Sequence, residues 1–243
     1  MRLQLNTYQL KLAHKWKIAG GQGSTMHEVV IVELTDDDGI VGRGEAAPAA
    51  VYKETPATVL EFYRRLDTTG FSFEDIPGSM ARLETFAPVP AAARCGINTA
   101  LVDGAAKRAG KAVYDYFDLG FREGKHLTSF SIGIDTPDIV REKVLAAAHY
   151  PVLKLKTGDA RDRENLAAVR SVAPAKPVRA DANEGWKTKE HALDMLEWLA
   201  ADGHIQFVEQ PLPRTARRED LIWLKERSPL PLFADESCHT IQD

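Results

Sequence analysis

The stretch Val152–Trp186, VLKLKTGDARDRENLAAVRSVAPAKPVRADANEGW, decides the fold. It opens on Val152–Lys156, where Lys154 and Lys156 alternate with Leu153 and Leu155. It then passes through an amphipathic segment and ends in a second short apolar strand, Val178–Asp181. Strand, helix, strand over this length predicts parallel strands joined by a right-handed crossover. The same beat extends outward to strands at Ser129–Ile134, Ile205–Glu209 and Leu232–Asp235. One intervening helix carries an i, i+3, i+4, i+7 stripe, Ala192, Met195, Leu196 and Leu199, with Thr188 placed as its N-cap. Four strands end at Lys156, Asp181, Glu209 and Asp235, 25, 28 and 26 residues apart. That regularity suits a βα barrel. An open doubly wound sheet is the alternative, but no glycine-rich phosphate fingerprint follows the first strand.

The first half of the chain reads differently. Leu3, Leu5, Leu10 and Leu12 sit in extended sequence, and His27–Thr35 (HEVVIVELT) is β-rich. An acidic turn at Asp36–Gly39 leads into Ile40–Glu45 (IVGRGE) as a hairpin partner. Helices are expected at about Thr55–Leu66 and Ala91–Arg108, the second with Ile97, Leu101 and Ala105 at helical spacing and Gly110 as its stop. The fold class is therefore an α+β domain over residues 1–120, followed over 121–243 by a partial (β/α)8 TIM-type barrel of about five of eight units.

Bulk properties narrow the functions. The 243 residues are 44% hydrophobic and 27% charged, ordinary for a globular protein with a sizeable core. Basic residues are dispersed and the net charge is −4, so no nucleic-acid or anionic-lipid footprint is expected. No apolar run approaches a membrane span, and the N-terminus carries no signal-peptide core. Two cysteines, Cys95 and Cys238, fit a reducing cytoplasm and are expected to be packed or inert thiols. The histidines show no ligand spacing. Trp186, Trp198 and Trp223 are read as packing residues, and Trp16 as a contact for a closing loop.

The chemistry gathers at the strand ends, where βα barrels place active sites. A single Asp there is usually a helix cap. Three carboxylates on adjacent strand ends, Asp181, Glu209 and Asp235, repel unless a cation neutralises them. All-oxygen ligands select a hard ion, Mg²⁺ first with Mn²⁺ as the alternative, and no Cys/His set argues for zinc. Lys154 and Lys156 share a face, because side chains alternate along a strand. Burial and a nearby cation would lower the pKa of Lys156 and suit it to act as a general base. Lys154 would stay charged and hold a carboxylate. Removing a proton beside a carboxylate requires that the developing charge be stabilised, which a bound metal does.

Lys154-Leu-Lys156, Asp181, Glu209 and Asp235, with their neighbours DAN, VEQP and ADES, resemble the enolase superfamily in its muconate-lactonizing branch. The resemblance covers essentially the whole chain. It makes residues 1–120 the capping domain, including IVGRGEAAP, and makes the loop His14–Met26 (HKWKIAGGQGSTM) a lid or simply a turn. Thr128–Pro137 (TSFSIGIDTP) looks most like dipeptide epimerases of the L-Ala-D/L-Glu type. The resemblance implies a Mg²⁺-dependent isomerase acting on a small carboxylate substrate, a dipeptide, with Lys156 as base and Lys154 and Ser131 touching substrate. With the composition, the expectation is a cytoplasmic protein with no nucleic-acid or membrane partner, a homo-oligomer or a chain completed by a missing C-terminal segment. Muconate cycloisomerase, o-succinylbenzoate synthase and N-acylamino-acid racemase share the same motifs, and an inactive metal-binding fragment is the reading from another class.

The sequence also departs from that pattern. The resemblance implies a second lysine about one beat beyond Asp235 and acidic residues on an eighth strand, and the 243 residues contain neither. The expectation is therefore a chain truncated at its C-terminus or completed by another segment. On that expectation, the parent enzyme epimerises dipeptides and this chain alone does not.

Overall fold

The computed structural model describes every residue except Ile241, and Val51 by its backbone only. Its contacts divide the chain into two units. The first comprises Met1–Ala13 and Met26–Lys125; the second comprises His14–Thr25 and His126–Asp243. The excursion around Trp16 thus belongs with the second unit.

The first unit is a three-stranded sheet covered by helices. Its strands are β1 (Arg2–Trp16), β2 (Ser24–Thr35) and β3 (Val41–Ala46), in that order. β2 and β3 pair antiparallel from Val30↔Ala46 to Thr35↔Val41. Alternation decides which face is buried: Val30, Val32 and Leu34 are fully buried, while Ile31 and Glu33 are only partly covered. The acidic turn forms as expected, with Asp36 Oδ1 accepting from the backbone N–H of Asp38 (3.1 Å) and Ile40 (2.8 Å).

Among the described residues a 3-10 turn at Ala50–Tyr52 and four α-helices follow. α1 (Pro56–Arg64) begins at Thr55, which exchanges hydrogen bonds with Thr58 in a capping box. α2 (Ile76–Glu84) was not anticipated: it buries only Ser79 and Leu83, too few for a periodic signal, and is started by Asp75 accepting from Gly78 N–H. α3 (Ala91–Arg108) spans the expected residues, and its N-terminal amides at Ala91 and Ala92 are capped by the distant Glu54 carboxylate. α4 (Val113–Tyr116) is a single turn.

The motif IVGRGE has a steric reason. A Cβ added at Gly42 would collide with the carbonyl oxygen of Ala100, and one at Gly44 with that of Gly96. β3 and α3 therefore touch backbone to backbone, which only glycine permits. Gly44→Ala is expected to lose about 1–3 kcal/mol of stability through overpacking. Urea denaturation checks this, and an unchanged midpoint would show that the helix can move away freely.

The second unit is a five-stranded sheet, all parallel, ordered β4 (Ser129–Ile132), β5 (Val152–Lys156), β6 (Val178–Asp181), β7 (Ile205–Glu209) and β8 (Leu232–Phe233). Helices α5 (Pro137–Ala146), α6 (Asp162–Val172), α7 (Lys189–Ala201) and α8 (Arg218–Arg227) connect consecutive strands. Thr188 caps α7 by accepting from His191 N–H. β4 and β8 stop two residues earlier than expected.

Register explains the two faces. Leu155, Ala180 and Val208 lie in one row and are fully buried in the core with α6 and α7. The next row along the strands, Lys156, Asp181 and Glu209, projects to the opposite face. Both cysteines are free and exposed rather than packed. On α3, Ala92, Ala93, Gly96 and Ile97 turn inward, which leaves Cys95 on the outer side. Among the described residues no helix is long and apolar enough to cross a membrane.

Candidate metal centre

The row Lys156–Asp181–Glu209 ends three neighbouring strands, and Asp235 follows two residues beyond the end of β8. One oxygen from each of Asp181, Glu209 and Asp235 lies within 4.8 Å of the others. Asp181 is completely buried, Glu209 half-buried and Asp235 exposed. Both lysines point into this acidic cluster. Lys156 Nζ donates to Asp181 Oδ2 at 2.7 Å. Lys154 Nζ lies 2.9 Å from the same oxygen and donates to Glu209 Oε1 at 2.7 Å.

The electrostatics favour a further positive charge. Burial opposes ionisation of Asp181, but Lys156 and Lys154 outweigh it and hold its pKa below the usual carboxylate value. Burial likewise opposes the charge on Lys154, and its hydrogen bonds to Glu209 and Asp181 overcome it and raise its pKa. Glu209 goes the other way. Burial and the charges of Asp181 and Asp235 push its pKa up despite the hydrogen bond from Lys154. Two ammonium groups therefore do not neutralise three carboxylates. An all-oxygen, over-negative cluster of this kind fits a hard divalent cation.

Ser131 is the register partner of Lys154 on β4 and is partly covered. The Trp16 ring centroid lies 5.9 Å from Lys156 Nζ. The segment around Trp16 is held by the backbone bond from Ile134 N–H to the Lys17 carbonyl (3.0 Å) and by the Lys17–Asp159 ion pair (3.3 Å).

The residues that brace the loops above these strand ends form no recognisable motif in the sequence. Asp162, 3% exposed, accepts from Gly158 N–H, Asp159 N–H and Trp186 Nε1–H, joining the loops after β5 and β6. Glu184 accepts from Arg214 through its backbone and guanidinium, joining the loops after β6 and β7. Gln210, 2% exposed, joins the loop after β7 to the segment after β8. Asn183, Glu184 and Gln210 all adopt positive φ (42°, 64° and 39°), which non-glycine residues rarely hold outside constrained sites. No periodicity in the sequence signals these long-range bonds.

A parallel β/α unit with acidic side chains gathered at its strand ends, preceded by an α+β unit, is the fold of the enolase superfamily. The chain belongs to the mandelate racemase / muconate lactonizing enzyme family. That family's N-terminal domain matches residues 11–117, and the enolase C-terminal domain-like family matches 139–243. The chain is 56% identical to the L-Ala-D/L-amino acid epimerase of Pedosphaera parvula, over all of this chain and 71% of that protein. It is 36% identical to the L-Ala-D/L-Glu epimerase of Bacteroides thetaiotaomicron, over all of this chain and 62% of that protein. A dipeptide epimerase from Enterococcus faecalis, solved as a complex with Mg and the dipeptide L-Leu-L-Tyr, superimposes with a TM-score of 0.89 at 27% identity. That match covers 99% of this chain and 68% of the other. These relatives are isomerases, and the chain spans about two thirds of their length.

Proposed function

We propose that this protein is a Mg²⁺-dependent dipeptide epimerase that works by removing the proton on the carbon beside the substrate carboxylate. The observation that carries the reading is the convergence of three carboxylates within 4.8 Å, with the ammonium groups of Lys154 and Lys156 hydrogen-bonded to two of them. The 56% identity to an L-Ala-D/L-amino acid epimerase supports the substrate class. Asp181, Glu209 and Asp235 would hold the ion, with Mn²⁺ as a substitute. When bound, the ion supplies positive charge against the substrate carboxylate as negative charge develops there.

The remaining steps belong to the protein. Lys156, on the buried end of β5 and shielded by Trp16, takes the α-proton. Lys154, which here donates to Glu209 and lies against Asp181, would with those carboxylates neutralised by an ion be free to donate to a substrate carboxylate oxygen as a charged ammonium. Ser131, its register partner, offers a hydroxyl to the same substrate. Inversion requires a second proton donor on the opposite side of the α-carbon, because Lys156 reaches one side only. The free thiols support a reducing, cytoplasmic setting.

The test is α-proton exchange in D₂O, followed by NMR, with Ala-Glu and related dipeptides with and without Mg²⁺. Mg²⁺-dependent exchange is the expected result. Folded, Mg²⁺-binding protein that exchanges no dipeptide proton would sink the substrate assignment.

A further inference from the structure

The third carboxylate has an anomalous position. β8 is only two residues long and ends at Phe233. Asp235 lies two residues beyond it, outside the paired register with β7, and its carbonyl accepts from Cys238 N–H (2.9 Å). Yet its carboxylate must meet those of Asp181 and Glu209, which project from regular strands.

The side chain of Gln210 meets this segment. Its Oε1 accepts from the backbone N–H groups of both Asp235 (2.9 Å) and Ser237 (3.1 Å). Its Nε2 donates to the carbonyl oxygen of Leu212 (2.8 Å) and to Ser237 Oγ (2.6 Å). Its own backbone N–H donates to the Phe233 carbonyl (2.9 Å), and its carbonyl accepts from Glu184 N–H (3.0 Å). Every polar group of the residue is engaged. Only one orientation of the amide works, because backbone N–H groups must meet oxygen and a backbone carbonyl must meet nitrogen. The left-handed backbone at Gln210, φ 39°, aims the side chain across to the next segment rather than along its own strand.

We infer that Gln210 is a positioning residue: it sets Asp235 against the adjacent Glu209 and thereby sets the affinity of the site for a divalent cation. The inference rests on the metal reading given above. It assigns Gln210 no contact with ion or substrate, only the placing of one ligand through its backbone amide. An amide is the side chain that suits the task. It presents an acceptor to two N–H groups and donors to a carbonyl and a hydroxyl, without adding a fourth negative charge to an over-negative cluster.

The experiment measures Mg²⁺ affinity by calorimetry and Mn²⁺ binding by magnetic resonance, the latter also counting water molecules on the bound ion. Gln210→Met keeps the volume and removes all four side-chain bonds. It is expected to weaken binding roughly 10–100-fold, the range for groups that orient metal ligands, and to add a water on bound Mn²⁺ where Asp235 has let go. Combined with Asp235→Asn it should bind no worse than Asp235→Asn alone, because Gln210 acts only through Asp235. Ser237→Ala, on an outer segment, removes one support of the amide and should weaken binding roughly 5-fold, the worth of one hydrogen bond. It carries the test if Gln210→Met does not fold. Independent, multiplying effects of the two sites, or wild-type affinity in folded Gln210→Met or Ser237→Ala, would overturn the inference and leave the metal reading intact. Wild-type protein that binds neither ion would remove the metal reading itself, and this inference with it.

Discussion

Asp181→Asn is expected to abolish Mg²⁺ binding at millimolar concentrations and to reduce α-proton exchange by about 10³-fold or more. The reasoning starts from burial. Asp181 is fully enclosed, one of its oxygens meets both Lys154 and Lys156, and its charge would help hold the proposed ion. An amide removes the charge while keeping the shape. The Lewis-acid contribution of a bound ion is worth several kcal/mol, and each 1.36 kcal/mol is a factor of ten in rate. The same substitution leaves two partly buried ammonium groups without their shared carboxylate, which predicts a stability loss of about 3 kcal/mol; partial exposure of Lys154 keeps it from being larger. Calorimetry on the variant reads both quantities. Retained Mg²⁺ affinity in folded Asp181→Asn would exclude Asp181 as a ligand.

Lys156→Met should separate chemistry from binding. If Lys156 is the base, exchange falls by about 10²–10⁴-fold, while Mg²⁺ binds as well as before or better. The second half follows from position: the lysine nitrogen sits 2.7 Å from Asp181 Oδ2 and would compete with a cation for the charge of that carboxylate. A structural lysine would give the opposite pattern, with weakened metal binding and chemistry reduced only in proportion. Parallel titrations of exchange rate and metal occupancy distinguish the two, and equal losses in both would rule out the base assignment.

Strand β5 was legible from the alternation of its leucines and lysines, and β6 and β7 as short apolar runs recurring at a regular spacing. Leu153 and Leu155 pack inward while Lys154 and Lys156 face the other way. Helix α3 was legible because Ile97, Leu101 and Ala105 repeat along one face. The gathering of Asp181, Glu209 and Asp235 could be anticipated once each was placed at a strand end. Other features left no local trace. Helix α2 buries too little to show a period, and exposure of Cys95 depends on which arc of α3 meets the sheet. The early end of β8 and the role of Gln210 are two sides of one fact. A side-chain amide takes over from the backbone ladder there, and a glutamine before a proline has no pattern that says so.

The braces above the strand ends also bear on how such a unit can be recombined. Asp162 reaches Trp186, Glu184 reaches Arg214, and Gln210 reaches Asp235 and Ser237, so each loop is anchored by its neighbour. A βα repeat is therefore not a self-contained module. A chimaera joined inside any of these loops would separate an acidic residue from the group that aims it, even with every acidic residue retained. Junctions within α7 or α8, or within α6 beyond its first residue Asp162, would cut none of these braces and leave the register of the rim untouched.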